Sequence, residues 1–187
     1  MHNTTGSPDP SGVLTMRFPA LLLACTLLLQ CAVPAGAYKG YRGEERPVDQ
    51  LALVRGEVYS RLDWINRFDD AVRFFSVDGR AIENSERFRT IRVTPGSHDI
   101  RVYFSWDMGN RRGLAPALVT YAANRESMSR TLTLTVEAGE EYLVRAEPVF
   151  DSEIQDITTL SYVDFWVVDS DDNIVVSREE GRYRPEG

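Results

Sequence analysis

Residues 130–136 read Arg-Thr-Leu-Thr-Leu-Thr-Val, and this polar–apolar alternation decides the fold class. Successive side chains of a strand point to opposite faces, so Leu132, Leu134 and Val136 share one face and the threonines the other. The same period recurs in His98-Ile100-Val102-Phe104 against Asp99-Arg101-Tyr103-Ser105, and in Tyr142-Val144-Ala146. It returns in Val163-Phe165-Val167 against Tyr162-Trp166-Val168. Helical spacing of apolar residues is weak throughout; Asp63 to Ala71 is the one segment whose pattern admits a short helical turn.

Turn residues divide these runs at intervals of about ten residues. Asp78-Gly79, Pro95-Gly96, Ala138-Gly139-Glu140 and Asp171-Asp172-Asn173 each fall between apolar segments. Asp-Gly suits a tight hairpin because glycine adopts positive φ without a Cβ clash. Leu51 to Val54 reads as a first strand, and Leu114 to Tyr121 as an edge strand, since Pro116 cannot donate to a ladder. The pattern predicts an all-β, antiparallel β-sandwich of about seven to eight strands over residues 51–180. Residues 38–50, rich in Gly, Glu, Arg and Pro, read as an extended linker, and residues 181–187 as a polar tail.

The N-terminal 37 residues have a different character. Met16-Arg17-Phe18-Pro19 precedes the apolar run Ala20 to Val33, then Pro34 and Ala35-Gly36-Ala37. A single cation, an apolar stretch of about a dozen residues and small residues at the end are the layout of a secretory signal peptide. The stretch is shorter than the roughly 20 residues a spanning helix needs. Met1 to Thr15 is a polar leader without a cation, and Met16 is the better placed start. Two processing fates follow. Ala35 and Ala37 suit cleavage after Ala37, which would leave a soluble exported chain. Cys31, preceded by Leu28-Leu29-Gln30, is the candidate lipidation site, and a lipid there would anchor the chain firmly to an envelope membrane.

Removing residues 1–37 leaves 150 residues, enough for one domain with a substantial core. Arg17 and Asp9 leave together, so the net charge stays at −7. That balance opposes nucleic-acid binding, which depends on neutralising phosphates, and a polybasic membrane surface. Cys25 and Cys31 are the only cysteines, and both precede residue 38, so no disulfide is expected in the domain. Any membrane contact would run through the signal peptide or a lipid on Cys31.

Two blocks carry a resemblance. Phe75-Ser76-Val77-Asp78-Gly79, followed by Val93-Thr94-Pro95-Gly96-Ser97-His98-Asp99-Ile100-Arg101-Val102, resembles PEGA-like and carboxypeptidase-regulatory-like β-sandwich modules. There a strand-Val-Asp-Gly hairpin precedes a Pro-Gly-x-His strand. Tyr41-Arg42-Gly43-Glu44-Glu45-Arg46-Pro47 and Val136-Glu137-Ala138-Gly139-Glu140-Glu141-Tyr142 resemble segments of small uncharacterised proteobacterial envelope lipoproteins. The motifs mostly specify turns and cover about half of the exported part. The resemblance implies a β-sandwich in the cell envelope and adds no catalytic residue; Gln30 before Cys31 departs from the usual small residue.

The candidate chemistry is sparse. His98 is the only histidine after residue 37; as a base it would need a nucleophile and an orienting carboxylate, and Asp99 points to the opposite strand face. Its expected role is to bond nearby backbone. One histidine without a thiol does not make a zinc site. Asp169, Asp171, Asn173 and Glu180 fall at positions 1, 3, 5 and 12 of a calcium loop, yet Ile174 stands where that loop requires glycine. A polar hairpin turn is the simpler expectation. Asp69-Asp70, Glu140-Glu141 and Glu179-Glu180 are adjacent pairs, which diverge instead of facing one another across a cleft as glycoside hydrolysis requires. No catalytic residue, metal ligand or cofactor site is expected. What remains is an aromatic surface: Tyr103, Trp106, Tyr121 and Trp64 lie near strand ends or loops, where aromatic rings stack on glycans or protein partners. The expectation is a non-enzymatic, exported envelope module with an envelope protein or glycan as partner. The competing readings are a lipid-anchored structural lipoprotein and a cell-wall hydrolase.

Overall fold

A computed structural model of the chain describes residues 36–63, 66–106, 129–152 and 159–184. The apolar run with Cys25 and Cys31, Trp64, the Asp107–Gly113 loop and the Leu114–Tyr121 segment lie outside the described residues.

The described residues form twelve strands and two short 3-10 turns, with no α-helix among them. In chain order the strands are β1 (Ala37–Lys39), β2 (Ala52–Gly56), β3 (Val58–Asp63), β4 (Asn66–Val77), β5 (Arg80–Ala81) and β6 (Thr90–Val93). Then come β7 (Gly96–Ser105), β8 (Arg130–Val136), β9 (Glu141–Phe150), β10 (Leu160–Val168), β11 (Ile174–Val176) and β12 (Arg182–Tyr183). One sheet runs β1-β6-β2-β9-β10-β11, with β12 also paired to β10. The other runs β3-β4-β7-β8, with β5 paired to β4.

The alternation in the sequence becomes a core shared by the two sheets, a sandwich-like arrangement. Val54, Ile91, Val144, Phe165 and Val167 from the first sheet are buried with Val72, Phe74, Ile100, Val102, Leu132 and Leu134 from the second. Burying side chains of this kind stabilises the fold by about 1.5–3 kcal/mol each before the entropy of ordering is counted. β8 keeps the predicted pattern, with Leu132, Leu134 and Val136 inside and the threonines exposed. In β4 a bulge between Phe74 and Ser76 shifts the register, so Phe74 and Val77 both face inward although three positions separate them. Asp78 and Gly79 carry φ of 50° and 72°, the backbone of a primed hairpin turn joining β4 to β5.

Four expectations are corrected. The sheets are not wholly antiparallel: β1 runs parallel to β6, and β2 parallel to β9. β9 is reached from β8 in the other sheet, so no hairpin forces its direction against β2. The strand count exceeds seven to eight because short strands such as β5, β11 and β12 pair at the margins. Residues 38–50 and 181–187 are not simply linker and tail, since β1 pairs with β6, Tyr41 is buried and β12 pairs with β10. Residues 66–71 are not helical. They extend β4 against β3, with Asp63 opposite Asn66 and Val58 opposite Ala71. Among the described residues β4 meets β7 only from Ala71 onward, and β3 is the partner of residues 66–70. Pairing satisfies the backbone of this stretch, and Leu62 on it stands 82% exposed.

Candidate functional site

Where β3, β4 and β7 of one sheet face β9 of the other, a cleft of about 300 Å³ is lined by Tyr59, Asp70, Phe104, Trp106, Ala146, Glu147, Pro148 and Phe150. Each ring is placed by its strand. Tyr59 lies on β3 opposite Asp70 of β4, Phe104 near the end of β7, and Trp106 just beyond it. Phe104 meets Trp106 edge-to-face at 4.8 Å between ring centroids and Tyr59 at 6.0 Å in a tilted pair. Such pairs add about 0.5–1.5 kcal/mol beyond their buried area and fix ring orientation.

Tyr59 ties the two sheets together at this end. Its hydroxyl donates to Glu57 Oε2 at 2.6 Å and accepts the Ala146 N–H at 2.7 Å. Burial pushes the phenol well above its ordinary range; the Ala146 N–H works against that, and the Glu57 carboxylate reinforces it. The hydroxyl must keep its proton to serve both partners. Asp70 is buried in the lining and Glu147 is exposed beside it, so the cleft combines aromatic faces with carboxylate acceptors.

The aromatic residues singled out in the sequence divide. Trp106 is partly buried and lines the cleft. Tyr121 and Trp64 lie outside the described residues. Tyr103 is not at a surface: it is 1% exposed. It points away from the inter-sheet core, where the 3-10 turn Ser85–Arg87 approaches it and Ser85 Oγ lies 3.3 Å from its hydroxyl. The alternation in β7 correctly placed Tyr103 on the outer face; a distant segment then covers that face. Tyr59, Phe104, Pro148 and Phe150 were missed. Each sits inside a strand pattern that reads as ordinary packing, and only the splaying of the two sheets brings them together.

His98 bonds backbone as expected: Nε2 lies 2.7 Å from the Thr94 carbonyl and Nδ1 2.9 Å from Asp78 Oδ2. Asp78 Oδ1 accepts the Asp99 N–H at 3.1 Å, so the ring and this carboxylate brace two adjoining turns. The Asp169 loop is a hairpin turn. Asp169 Oδ1 accepts the N–H groups of Asp171 and Asn173, both at 2.9 Å, and the Asn173 amide donates to Oδ2 at 2.9 Å. These bonds, led by the Asn173 side chain, hold the Asp169 carboxyl below its usual range. Glu180 is likewise held low by the Ser177 N–H and hydroxyl, each donating to Oε2. Positions 1 and 12 of the candidate calcium loop therefore close two separate turns instead of one coordination sphere. Among the described residues no three His, Cys, Asp or Glu side chains group in a way that would hold a metal.

No helix among the described residues is long and apolar enough to cross a membrane. No family model, curated protein or solved structure matches this chain.

Proposed function

We propose that the chain is a non-enzymatic β-sandwich module of the cell envelope that recognises a glycan through the cleft at Trp106. The observation that carries this reading is the meeting of Tyr59, Phe104, Trp106 and Phe150 with Asp70 and Glu147 around one cleft of about 300 Å³. A sugar ring presents an apolar face for stacking and hydroxyls that donate to carboxylates; the cleft offers the aromatic faces, and Glu147, bonded to Arg178 through Oε2, offers its other oxygen at the rim. Its volume stands at the small end of ligand pockets, the size for a sugar residue and not for a long chain.

The test is a fluorescence titration of the full chain with a cell-wall amino-sugar disaccharide, repeated with Trp106→Ala. Loss of one stacking partner is expected to weaken binding about tenfold, the equivalent of roughly 1.4 kcal/mol. Equal affinity in the variant removes the cleft from the reading. Release of soluble fragments from intact cell wall would replace it with the hydrolase alternative.

Export rests on the segment Met16 to Ala37, with Cys31 and Ala37 as the competing processing points. β1 begins at Ala37, so cleavage after that residue removes one of its three positions, whereas cleavage before Cys31 keeps β1 whole. Retention of the full strand favours the anchored form. The expected intact mass of the protein from its host is that of a chain starting at Cys31 with acyl groups attached; a mass starting at Tyr38 without lipid selects the soluble form.

A further inference from the structure

A second depression, sharing no residue with the aromatic cleft, lies where the segment after β1 crosses the β4–β5 and β6–β7 turns. It measures about 370 Å³ and is lined by Gly40, Tyr41, Arg42, Arg46, Asp78, Arg80, Thr94 and His98. We propose that this depression binds a phosphate group held by Arg42, Arg46 and Arg80.

The argument starts from charge. The chain carries 28 carboxylates against 21 basic side chains, so an arginine on its surface readily finds an acidic neighbour. Five arginines among the described residues do: Arg55 pairs with Glu141, Arg92 with Glu45, Arg145 with Asp172, Arg178 with Glu147 and Arg182 with Asp164. Arg42, Arg46 and Arg80 pair with no carboxylate among the described residues, although all three line one depression. The carboxylate that shares it is already engaged, Asp78 Oδ2 by His98 Nδ1 and Oδ1 by the Asp99 N–H. Arg80 gives one donor to the Gly40 carbonyl, and a guanidinium has five.

The segment bearing two of these arginines is held in place. Tyr41 is buried, and its hydroxyl accepts the Arg46 N–H at 3.0 Å. Lys39 Nζ donates to the Gly43 carbonyl at 2.6 Å, which closes the intervening turn. A site ordered before its ligand arrives loses less entropy on binding. Three guanidiniums also exceed what the two oxygens of a carboxylate can use. A phosphate monoester, with close to two negative charges and three acceptor oxygens, matches them. Clustered like charge in a concave surface raises the local anion concentration further.

The test follows the arginine Nε–H resonances of the ¹⁵N-labelled full chain during titration with inorganic phosphate, with acetate as the monoanion for comparison. Saturable shifts are expected with phosphate, with a dissociation constant on the order of 1 mM or below. The double variant Arg42→Gln/Arg46→Gln should weaken binding at least tenfold and leave the melting temperature unchanged, since both positions are exposed. A second arm measures co-sedimentation with phosphatidylglycerol vesicles against phosphatidylcholine vesicles. Binding to anionic vesicles without binding to free phosphate, lost in the double variant, assigns the phosphate to a lipid headgroup. Absence of saturable binding in both arms, equal binding of acetate, or undiminished binding by the double variant overturns the proposal.

Discussion

Gly181→Ala is expected to lower the stability of the fold by about 3 kcal/mol or more, read as a shift of the denaturant midpoint. A Cβ at this position falls far inside the van der Waals contact of the Phe165 carbonyl oxygen, 2.8 Å from its carbon and 3.3 Å from Leu132 Cδ2. The obstacle is backbone from the middle of β10, opposite Ala146 of β9, and its side chain is fully buried. β10 cannot retreat without breaking its ladder, so the segment bearing Gly181 must lift instead. Lifting it breaks the bond from the Phe165 N–H to the Gly181 carbonyl and pulls Arg182 away from Asp164. Arg182 now holds Asp164 through two bonds of 2.6 and 2.8 Å, and Asp164 is buried. A buried carboxylate that loses its cation is strongly destabilising. Amide exchange separates the steps: β12 should lose protection first, with β9 and β10 following at lower denaturant than in the parent chain. A midpoint unchanged relative to the exposed control Glu179→Ala would mean that residues 181–183 do not pack against β10.

Much of the fold was legible because a strand announces itself locally. The alternation in β8 and the Asp-Gly turn after Val77 act through neighbours one or two residues away, and the structure keeps both; in β10 Val163, Phe165 and Val167 are buried as the pattern has it, but Asp164 and Val168 of the other face are buried too. Partner choice is different. Pro95-Gly96 and Ala138-Gly139-Glu140 read as turns between successive strands, yet each carries the chain from one sheet to the other, β6 to β7 and β8 to β9. The residues of a tight turn set the reversal of the chain; they do not specify whether the next strand pairs with the last one or packs over it. The parallel pairing of β2 with β9 follows from the β8-to-β9 crossing, and that of β1 with β6 from the place of β1 on the far side of β6 from β2; neither leaves a trace in any single strand.

The candidate site shows the same division. Trp106 was identifiable as an aromatic residue at the mouth of a loop. Tyr59 and Phe150, some ninety residues apart, become neighbours of one cleft only through strands in opposite sheets. Tyr103 failed for a related reason, because the segment Ser85–Arg87 that covers it has no apolar pattern of its own. No sequence pattern singles out the arginines of the second depression. Their significance lies in which carboxylates the fold withholds from them, and sequence spacing does not encode that.

Gly56→Ala should be comparably damaging, about 3 kcal/mol or more, and it should also disturb the aromatic cleft. Gly56 closes β2 at the point where the chain leaves one sheet for the other. Its N–H donates to the Arg89 carbonyl, the Glu57 N–H to the Val144 carbonyl, and the Glu57 carbonyl accepts the Val72 N–H, so two residues are sewn to both sheets. A Cβ on Gly56 would press on the Val72 carbonyl oxygen well within contact, 3.0 Å from its carbon and 3.3 Å from its Cβ. Val72 is fully buried in β4, with Phe104 of β7 as its register partner. Relief requires β2 and β4 to separate, and β3, carrying Tyr59, follows directly after the crossing. Tyr59 would then be drawn from the Ala146 N–H that it accepts at 2.7 Å, widening the cleft on the side opposite Pro148 and Phe150. The variant is therefore expected to lose disaccharide affinity even under conditions where it remains folded, while phosphate binding at Arg42 and Arg46 persists, since no residue of that depression lies on β2 or β3. Equal loss at both sites would show that the variant has unfolded as a whole. Retention of full stability would show that the sheets are not in contact at this crossing.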